Sequence, residues 1–386
     1  MSEYQYYEFI SIDNPLSRQE LAELRAVSTR ADISSTRFVN EYNWSDLRAS
    51  PPTLMERYFD AHLYVANWGS RTVIFRFPLR AVPLSALEPY QASGVRVWAT
   101  QTHSLVELDR LAEDDDGSCW DDKDALIDLL PLRQQILAGD LRCLYLAWLS
   151  SAMDDYHEDE QDERHGCPPV PPGLEDLGAS LERFTELFRF DADLIRAIAQ
   201  HSAPLTAPSD QISDLAAFIS ALDPQVKVAL LLRVAQQEPT VSLELMADFR
   251  SSLAASTHRP PCPTPPLADL ADATLHEEHA REVREAEARR LEHALRAERE
   301  EKRRQARRDE VNRAPERLWG AVDTHIAASN RKSYQCAAAL LADLLDAATT
   351  EAERRSFQSR LIAIRLEHER KRALMEELVK AGVLKA

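Results

Sequence analysis

The order of hydrophobic and polar positions divides this chain of 386 residues into segments of different kinds. In roughly the first 110 residues, short aromatic and β-branched runs predict strands. These runs lie at 4–12, 37–44, 71–77, 95–99 and 104–108. A Ser17/Glu20 capping box predicts the start of one helix between them, and the Pro51-Pro52 pair predicts the start of another. The segment is therefore predicted to be a small α+β domain.

From residue 121 onward, apolar residues recur at the spacing of amphipathic helices. The pattern predicts two helices in 121–153, and Pro131 is expected to kink or break the first of them. Further helices are predicted at 176–189, 191–201, 209–221, 223–237 and 240–255. The helix at 223–237 is expected to be buried, because most of its residues are apolar: Val226, Val228, Leu230, Leu231 and Val234.

Residues 275–314 contain no Gly and no Pro, and nearly all of them are Glu, Arg, Lys, Ala or Leu. These residue types are the strongest helix formers. Glu often precedes Arg or Lys by four positions, which adds about 0.2–0.5 kcal/mol per pair. We therefore predict one long, exposed, charged helix that acts as a spacer. A dimerising coiled coil is the alternative, although Val283, Leu291 and Leu295 form only a short apolar seam.

The predicted fold class is mainly α, with an N-terminal α+β domain and a long charged helix leading to a C-terminal helical bundle. The predicted organisation is an α+β domain with C-terminal helices at 1–153, an acidic and Pro-rich linker at 154–173, a helical domain at 174–256, a Pro-rich linker at 257–267, the long charged helix at 268–314 and the bundle at 315–386.

Composition narrows the class of protein. The formal net charge of −18 predicts a body that repels nucleic acid and anionic membranes unless a local basic patch dominates. The five Cys are widely separated and form no CxxC pair, which favours a reduced, cytoplasmic protein. The N-terminus lacks the basic and apolar regions of a signal peptide, and no apolar run approaches 18 residues. We therefore expect a cytoplasmic protein without a membrane partner.

A search for chemistry finds no GxGxxG, Walker, HExxH, GxSxG or CxxC motif, so no catalytic residue and no cofactor is predicted. The best metal candidate is His157, His165 and Cys167, whose residue types suit zinc. Their spacing matches no known zinc finger, and a solvated acidic loop is the favoured interpretation. His276 and His279 share a helix face and form a weaker candidate, with two exposed His as the favoured interpretation.

Two sets of residues could recognise a partner. The second half of the long helix is locally basic and could contact phosphates, although acidic residues are interleaved. Its basic residues are Lys302, Arg303, Arg304, Arg307 and Arg308. In the N-terminal domain most aromatic residues should be core. Trp44 in Asn-Trp-Ser and Trp68 in Asn-Trp-Gly lie beside polar turn residues, so they are the candidates for interface anchors.

Core-type positions recur along roughly the last 70 residues, at Leu318–Trp319, Tyr334, 340–344, Phe357, Leu361, His368, Lys371, Leu374 and Ala381–Gly382. This pattern resembles the C-terminal helical tail of some bacterial proteins that carry a SWIM-type zinc finger. The finger itself is absent, since the chain has no CxC pair, so the resemblance implies no site and no activity. The stretches MSEYQYYEF and YNW…MERYFDAHLYVANWG are similar to an uncharacterised bacterial family, which implies a bacterial cytoplasmic protein.

Three hypotheses of function follow. The first is a non-enzymatic interaction or scaffold protein, in which the globular body recognises a protein partner and the long helix is a spacer. The second is a nucleic-acid-associated accessory protein that uses the basic half of the long helix. The third is an enzyme of unrecognised type with a pocket in residues 1–150, which would require converging polar groups there.

Overall fold

The computed structural model describes residues 4–111, 123, 125–158, 167–205, 211–256 and 262–384. The chain forms two compact units, Met1–Ala280 and Arg281–Ala386, which are called the first and second unit below. The predicted fold class is confirmed: an antiparallel sheet region lies in the N-terminal part, and a long helix leads to C-terminal helices.

The sheet of the first unit has seven strands among the described residues: β1 (Gln5–Ile10), β2 (Asp32–Ile33), β3 (Arg37–Tyr42), β4 (Ala61–Ala66), β5 (Ser70–Pro78), β6 (Val95–Ala99) and β7 (His103–Leu111). Their order is β2-β3-β1-β4-β5-β7-β6, and the paired neighbours are antiparallel. The sequence prediction missed β2 and β4. The β4 segment is apolar at nearly every position, so it lacks the period of two that identifies a half-buried strand.

The helices of the first unit are α1 (Arg18–Val27), α2 (Pro51–Arg57), α3 (Leu84–Leu87), α4 (Leu126–Leu137), α5 (Arg142–Glu158), α6 (Ala179–Leu187), α7 (Ala192–Ala199), α8 (Gln211–Ala221), α9 (Pro224–Ala235), α10 (Val241–Ser256) and the start of α11 (Leu267–Arg313). The predicted Ser17/Glu20 capping box is confirmed at the start of α1. Pro131 lies inside α4, and the helix continues past it to Leu137, so the expectation of a break is wrong.

Hydrophobic cores cover both faces of the sheet. On one face, Phe9 and Phe38 pack with Leu24 of α1 and Met55 of α2. The core on the other face joins strand residues with helices α4 to α7, including Phe75, Leu129, Trp148 and Phe184. Residues of both predicted segments, 1–153 and 174–256, thus lie in this second core.

The described parts of the two Pro-rich segments lie side by side. The backbone N–H of Val170 donates a hydrogen bond to the carbonyl oxygen of Cys262, at 2.9 Å. The hydroxyl of Thr264 lies 3.0 Å from the Tyr145 hydroxyl and donates to the Pro168 carbonyl oxygen at 2.5 Å. These contacts join the second Pro-rich segment to α5, immediately before α11 begins.

A buried ionic network connects the sheet to α4. Asp60 accepts bonds from the Arg76 guanidinium at 2.8 and 3.1 Å, and Arg133 of α4 donates two bonds to Asp13, at 2.6 and 3.1 Å. Burial acts to raise the pKa of the Asp60 carboxyl, but Arg76, Arg133 and two backbone N–H groups outweigh it and lower that pKa. The Asp60 carboxylate therefore remains charged inside the fold.

The second unit contains the rest of α11 together with α12 (Pro315–Ala327), α13 (Arg331–Ala347), α14 (Glu351–Glu367) and α15 (Arg372–Lys380). Its core includes Val322, Leu341, Phe357 and Leu374, and α11 contributes Val311 from its last turn. The predicted C-terminal helices are thus confirmed. The long helix has 47 residues, and every side chain from 287 to 307 is exposed.

Candidate protein-interaction site

The structure brings Trp44 and Trp68 to the same end of the sheet. Strands β3 and β4 flank β1 and both run antiparallel to it, so Tyr42 and Ala66 lie on either side of Gln5. Trp44 follows the end of β3 by two residues, and Trp68 follows the end of β4 by two. Since adjacent strands lie about 4.8 Å apart, the two strand ends are roughly 10 Å apart. We call Trp44 and Trp68 the indole pair.

Both members of the indole pair are exposed, at 75% for Trp44 and 42% for Trp68. The Trp68 indole N–H donates to the Ser70 hydroxyl at 3.0 Å. Large exposed aromatic side chains are enriched at the centres of protein interfaces, because they contribute much contact area and lose little conformational entropy. Trp44 and Trp68 are therefore the candidate contact residues at this end of the sheet.

Backbone contacts fix the turn that carries Trp68. The Tyr4 N–H donates to the Asn67 side-chain oxygen at 2.9 Å, and the Asn67 N–H donates to the Tyr4 carbonyl oxygen at 3.0 Å. Gly69 completes the turn with a φ of 96°, a left-handed conformation that favours glycine. The start of β1 thus holds the β4–β5 turn in one conformation.

Side chains of β1 hold the loop that carries Trp44. The Gln5 amide donates to the Ser45 carbonyl oxygen at 3.1 Å, and the Tyr7 hydroxyl donates to Asp46 at 2.5 Å. Burial, followed by the bond to Asp46, raises the pKa of Tyr7, so its hydroxyl keeps the proton that it donates. Both loops of the indole pair are therefore positioned by the same central strand, which reduces the entropy lost on binding.

Tyrosine rings support this end of the sheet. The Tyr7 ring packs against the Tyr64 ring at 4.8 Å and against the edge of the Tyr42 ring at 5.9 Å. The Gln5 side-chain oxygen accepts a bond from the Tyr64 hydroxyl at 3.1 Å and lies 2.9 Å from the Tyr7 hydroxyl oxygen. Burial raises the pKa of Tyr64 to about 12. The surrounding acidic residues, Glu41 and Asp46, are exposed.

A second unusual surface lies on α9. Sequence reasoning expected this helix to be buried, and that expectation is wrong, because none of its residues is buried. Five apolar residues are 47–67% exposed: Val226, Val228, Leu231, Leu232 and Val234. Their pattern in the sequence identified an apolar helix, but it could not tell what covers the helix. Among the described residues, these five exposed side chains lie around much of the circumference of α9 and not along a single face.

Helices α8 and α9 also bear on whether the described part of the chain could cross a membrane. No single helix within the described residues is long and apolar enough to cross a membrane. Asp214–Ala221 and Pro224–Ala235 reach the required length and hydropathy only when they are joined, and they are bent by 112° at the break between them.

The five predicted phosphate-binding residues lie on different parts of the α11 surface. Arg307 donates to Asp343 of α13 at 2.6 Å, and Arg308 donates to Asp346 at 3.0 Å. Hydrogen bonds to these carboxylates raise the pKa of both guanidiniums. Arg304 lies 3.9 Å from Asp346, so three of the five basic residues face acidic groups of the second unit.

The other two basic residues, Lys302 and Arg303, face outward on α11. Lys302 contacts Glu298 at 2.5 Å. Together with Arg296, Arg299 and Glu300, these two residues line a shallow groove of about 510 Å³. Arg296 is paired with Glu300 at 3.1 Å. The groove is thus mixed in charge, with more basic than acidic side chains.

The predicted zinc ligands fall mostly outside what the structure describes. His157 lies in α5 but its side chain is outside the described part, His165 is outside the described residues, and Cys167 is half-buried. His276 is exposed and its Nδ1 lies 2.7 Å from the Asp272 carbonyl oxygen. Within the described residues, no group of three or more His, Cys, Asp or Glu could hold a metal ion.

Comparison with protein-family models, with curated proteins and with solved structures gave no match. The resemblance of the C-terminal tail to SWIM-containing proteins therefore stays a prediction.

Proposed function

We propose that this protein is a non-enzymatic interaction protein, whose first unit binds a protein partner through the indole pair. The observation that carries the proposal is the convergence of Trp44 and Trp68 at one end of the sheet, on loops that β1 holds in place. The two indoles offer exposed aromatic contact area at one end of the sheet, which is the kind of surface that protein interfaces use. In this proposal α11 connects the two units as a spacer.

Charge indicates the chemistry of the partner. Residues 1–280 contain far more Asp and Glu than Lys and Arg, and Glu41 and Asp46 are exposed near the indole pair. Indole faces attract Lys and Arg through the cation–π interaction. We therefore propose a partner segment in which Lys or Arg alternates with apolar side chains.

The nucleic-acid hypothesis receives less support from the contacts. Three of its five basic residues, Arg304, Arg307 and Arg308, lie against Asp343 and Asp346. A phosphate would have to compete with these carboxylates. The acidic excess of residues 1–280 also opposes the approach of a polyanion.

The enzyme hypothesis also receives less support. An opening of about 350 Å³ includes Arg110 and Ser150 from the predicted region, together with Asp154 and Asp191. Arg110 already donates to Ser150 at 2.5 Å and to Asp154 at 2.6 Å. The described residues that line this opening include no His, Cys or Lys, and the Ser150 hydroxyl already accepts the bond from Arg110.

Selection from a displayed library of random peptides tests the proposal. The full chain and its Trp44→Ala/Trp68→Ala variant are immobilised and screened in parallel. We expect the wild-type protein to enrich peptides that combine Lys or Arg with apolar residues, and the variant to enrich none of them. Loss of both indoles is expected to lower the affinity at least tenfold, since interface tryptophans commonly contribute about 2 kcal/mol or more.

The control is Ile127→Ala, which removes another exposed apolar side chain from the first unit. This variant should select the same peptides as the wild-type protein. Enrichment of the same peptides by the double-tryptophan variant would contradict the proposal, and so would a wild-type protein that enriches no peptide.

A further inference from the structure

The carboxylate of Asp46 is exposed, yet it is fixed in orientation. Its Oδ1 accepts a hydrogen bond from the Tyr7 hydroxyl at 2.5 Å and another from the Leu47 backbone N–H at 2.7 Å. The Leu47 side chain is buried in the core on one face of the sheet, which anchors the loop beside Asp46. Because a carboxylate oxygen has two lone pairs, these two donors fill the acceptor capacity of Oδ1. A further donor can therefore bind Asp46 only through Oδ2.

The second oxygen of Asp46, Oδ2, is open. It has no hydrogen-bond or ion-pair partner among the described residues. A second exposed carboxylate at this end of the sheet, Glu41, differs in this respect, because both of its oxygens accept bonds from the Lys123 ammonium at 3.1 Å. Glu41 is thus already paired, whereas Asp46 presents an oriented carboxylate oxygen to a partner.

Asp46 and Trp44 lie two residues apart on the same loop. Since consecutive Cα atoms are about 3.8 Å apart, the Cα atoms of these two residues are separated by less than about 8 Å. The Trp44 side chain is 75% exposed, so a partner can reach its indole. A cation is attracted to an indole face when it lies within about 6 Å of the ring centroid. The separation is therefore short enough for one long basic side chain to contact both residues.

We propose that Asp46 and Trp44 together bind a lysine side chain of the partner, whose ammonium donates to Oδ2 of Asp46 beside the Trp44 indole. This inference rests on the proposed function of the indole pair and identifies the side chain that the site recognises. An Arg guanidinium binds a carboxylate best through two parallel bonds to both oxygens, and Oδ1 of Asp46 is already filled. A Lys ammonium acts as a point charge and needs one acceptor. Arg keeps its stacking on the indole but loses the paired bonds, so we expect Lys to bind at least as tightly as Arg.

Three displayed libraries of random peptides test which side chain is recognised. One library encodes Lys but no Arg, the second encodes Arg but no Lys, and the third encodes neither. The immobilised full chain should select peptides from the Lys library that bind at least as tightly as those from the Arg library. The third library should yield no peptide of comparable affinity, because its members carry no cationic side chain.

Asp46→Asn tests the residue itself, with a peptide selected from the Lys library as the probe. The asparagine keeps an oxygen that can accept the bonds from Tyr7 and Leu47, so the substitution removes the charge and retains the loop. We expect binding to weaken about three- to fivefold, the range of an exposed ion pair. The matched control is Glu41→Gln, which removes the same charge from a carboxylate that Lys123 already pairs, so its effect should be smaller.

Norleucine in place of the peptide lysine separates direct contact from support of the loop. This residue keeps the apolar stem of lysine but has no ammonium. Asp46→Asn should therefore not weaken the binding of the norleucine peptide further. If Asp46 only supported the loop, its substitution would weaken the binding of both peptides by the same factor.

The proposal would be overturned by any of four results. Asp46→Asn and Glu41→Gln could weaken binding equally, which would mean that the charge acts without contact. The norleucine peptide could lose as much affinity in Asp46→Asn as the lysine peptide does. Peptides from the Arg library could bind more tightly than those from the Lys library, or the library without either residue could yield peptides of equal affinity.

These four results leave the proposed function in place, because they concern only the charge that the site recognises. Peptides that bind Trp44→Ala/Trp68→Ala as tightly as the wild-type protein would instead refute the role of the indole pair. A wild-type protein that selects no peptide from any library would refute both proposals.

Discussion

His62 is a buried imidazole in the middle of the sheet. Its ring stacks on Phe9 at 3.9 Å, its Nδ1 lies 2.8 Å from the Glu8 carbonyl oxygen, and its Nε2 has no hydrogen-bond partner among the described residues. Burial lowers the pKa of His62 to about 3. The ring is therefore neutral in the folded protein across the physiological pH range.

This burial predicts that acid destabilises the fold. The unfolded chain protonates His62 below its ordinary pKa of about 6.5, whereas the folded protein does so only below about 3. The free energy of unfolding should thus fall, by up to about 1.4 kcal/mol per pH unit from this residue, as the pH drops through that range. Urea denaturation at several pH values measures this dependence of the free energy of unfolding on pH. In His62→Leu the dependence should be weaker by this one proton, and an unchanged dependence would refute the assignment.

A single substitution at Arg133 should have a large effect on the stability of the fold. Its side chain is fully buried against Asp13 and lies 3.9 Å from Asp60. Arg133→Met would leave Asp13 without its cation and Asp60 with Arg76 alone, and the expected loss is about 3–5 kcal/mol in the free energy of unfolding, measured by urea denaturation. The control is Arg96→Met at the exposed pair with Glu107, where we expect a loss below about 1 kcal/mol. Equal losses in the free energy of unfolding would mean that the buried network of Arg133 stabilises the fold no more than an exposed ion pair does.

At the scale of residues, the sequence predicted part of the candidate site. Trp44 and Trp68 could be selected because each adjoins polar turn residues. Their proximity could not be predicted, since it depends on β4, which sequence reasoning missed, pairing next to β1. The contacts of Gln5 and Tyr7 with the Trp44 loop link residues about 40 positions apart, and no local pattern reports them.

At the scale of elements, two glycines should respond in opposite ways to replacement by alanine. Gly69→Ala should destabilise the β4–β5 turn by about 1 kcal/mol, because its φ of 96° is unfavourable for alanine. It should also weaken peptide binding by misplacing Trp68. Gly320→Ala should do the opposite, since Gly320 lies inside α12 with free space around it, and alanine stabilises a helix by about 0.5–1 kcal/mol.

Thermal unfolding of both variants checks the predicted loss of stability in Gly69→Ala and the predicted gain in Gly320→Ala. Peptide binding is measured in parallel. A Gly69→Ala protein with unchanged stability and affinity would show that the turn conformation is not required for the indole pair. A destabilised Gly320→Ala protein would show that the space beside α12 is occupied.

Elements with strong local signals were predicted well. The long α11 needs only its helix-forming composition, and α1 needs its capping box. The structure of other elements depends on tertiary contacts, which the local sequence does not report. Pro131 is accommodated within α4, and α9 has the composition of a core helix although none of its residues is buried. Periodicity identifies an apolar face, but only the packing of neighbouring elements determines whether that face is buried.

At the scale of the whole molecule, charge is divided between the two units. Residues 1–280 carry an excess of Asp and Glu, whereas residues 281–386 carry more Lys and Arg than Asp and Glu. A basic partner of the indole pair should therefore bind more weakly as salt rises. We expect its dissociation constant to increase between 50 and 500 mM salt, measured by fluorescence anisotropy. An affinity independent of salt would indicate that the partner segment is apolar without being basic.

The indole pair is the proposed binding site of the first unit. Isothermal titration calorimetry of a selected peptide into the wild-type protein and into Trp44→Ala/Trp68→Ala tests it most directly. We expect one site per chain, with an affinity at least tenfold weaker in the variant, while Ile127→Ala binds like the wild-type protein. Equal affinities in the wild-type protein and the double-tryptophan variant would contradict it.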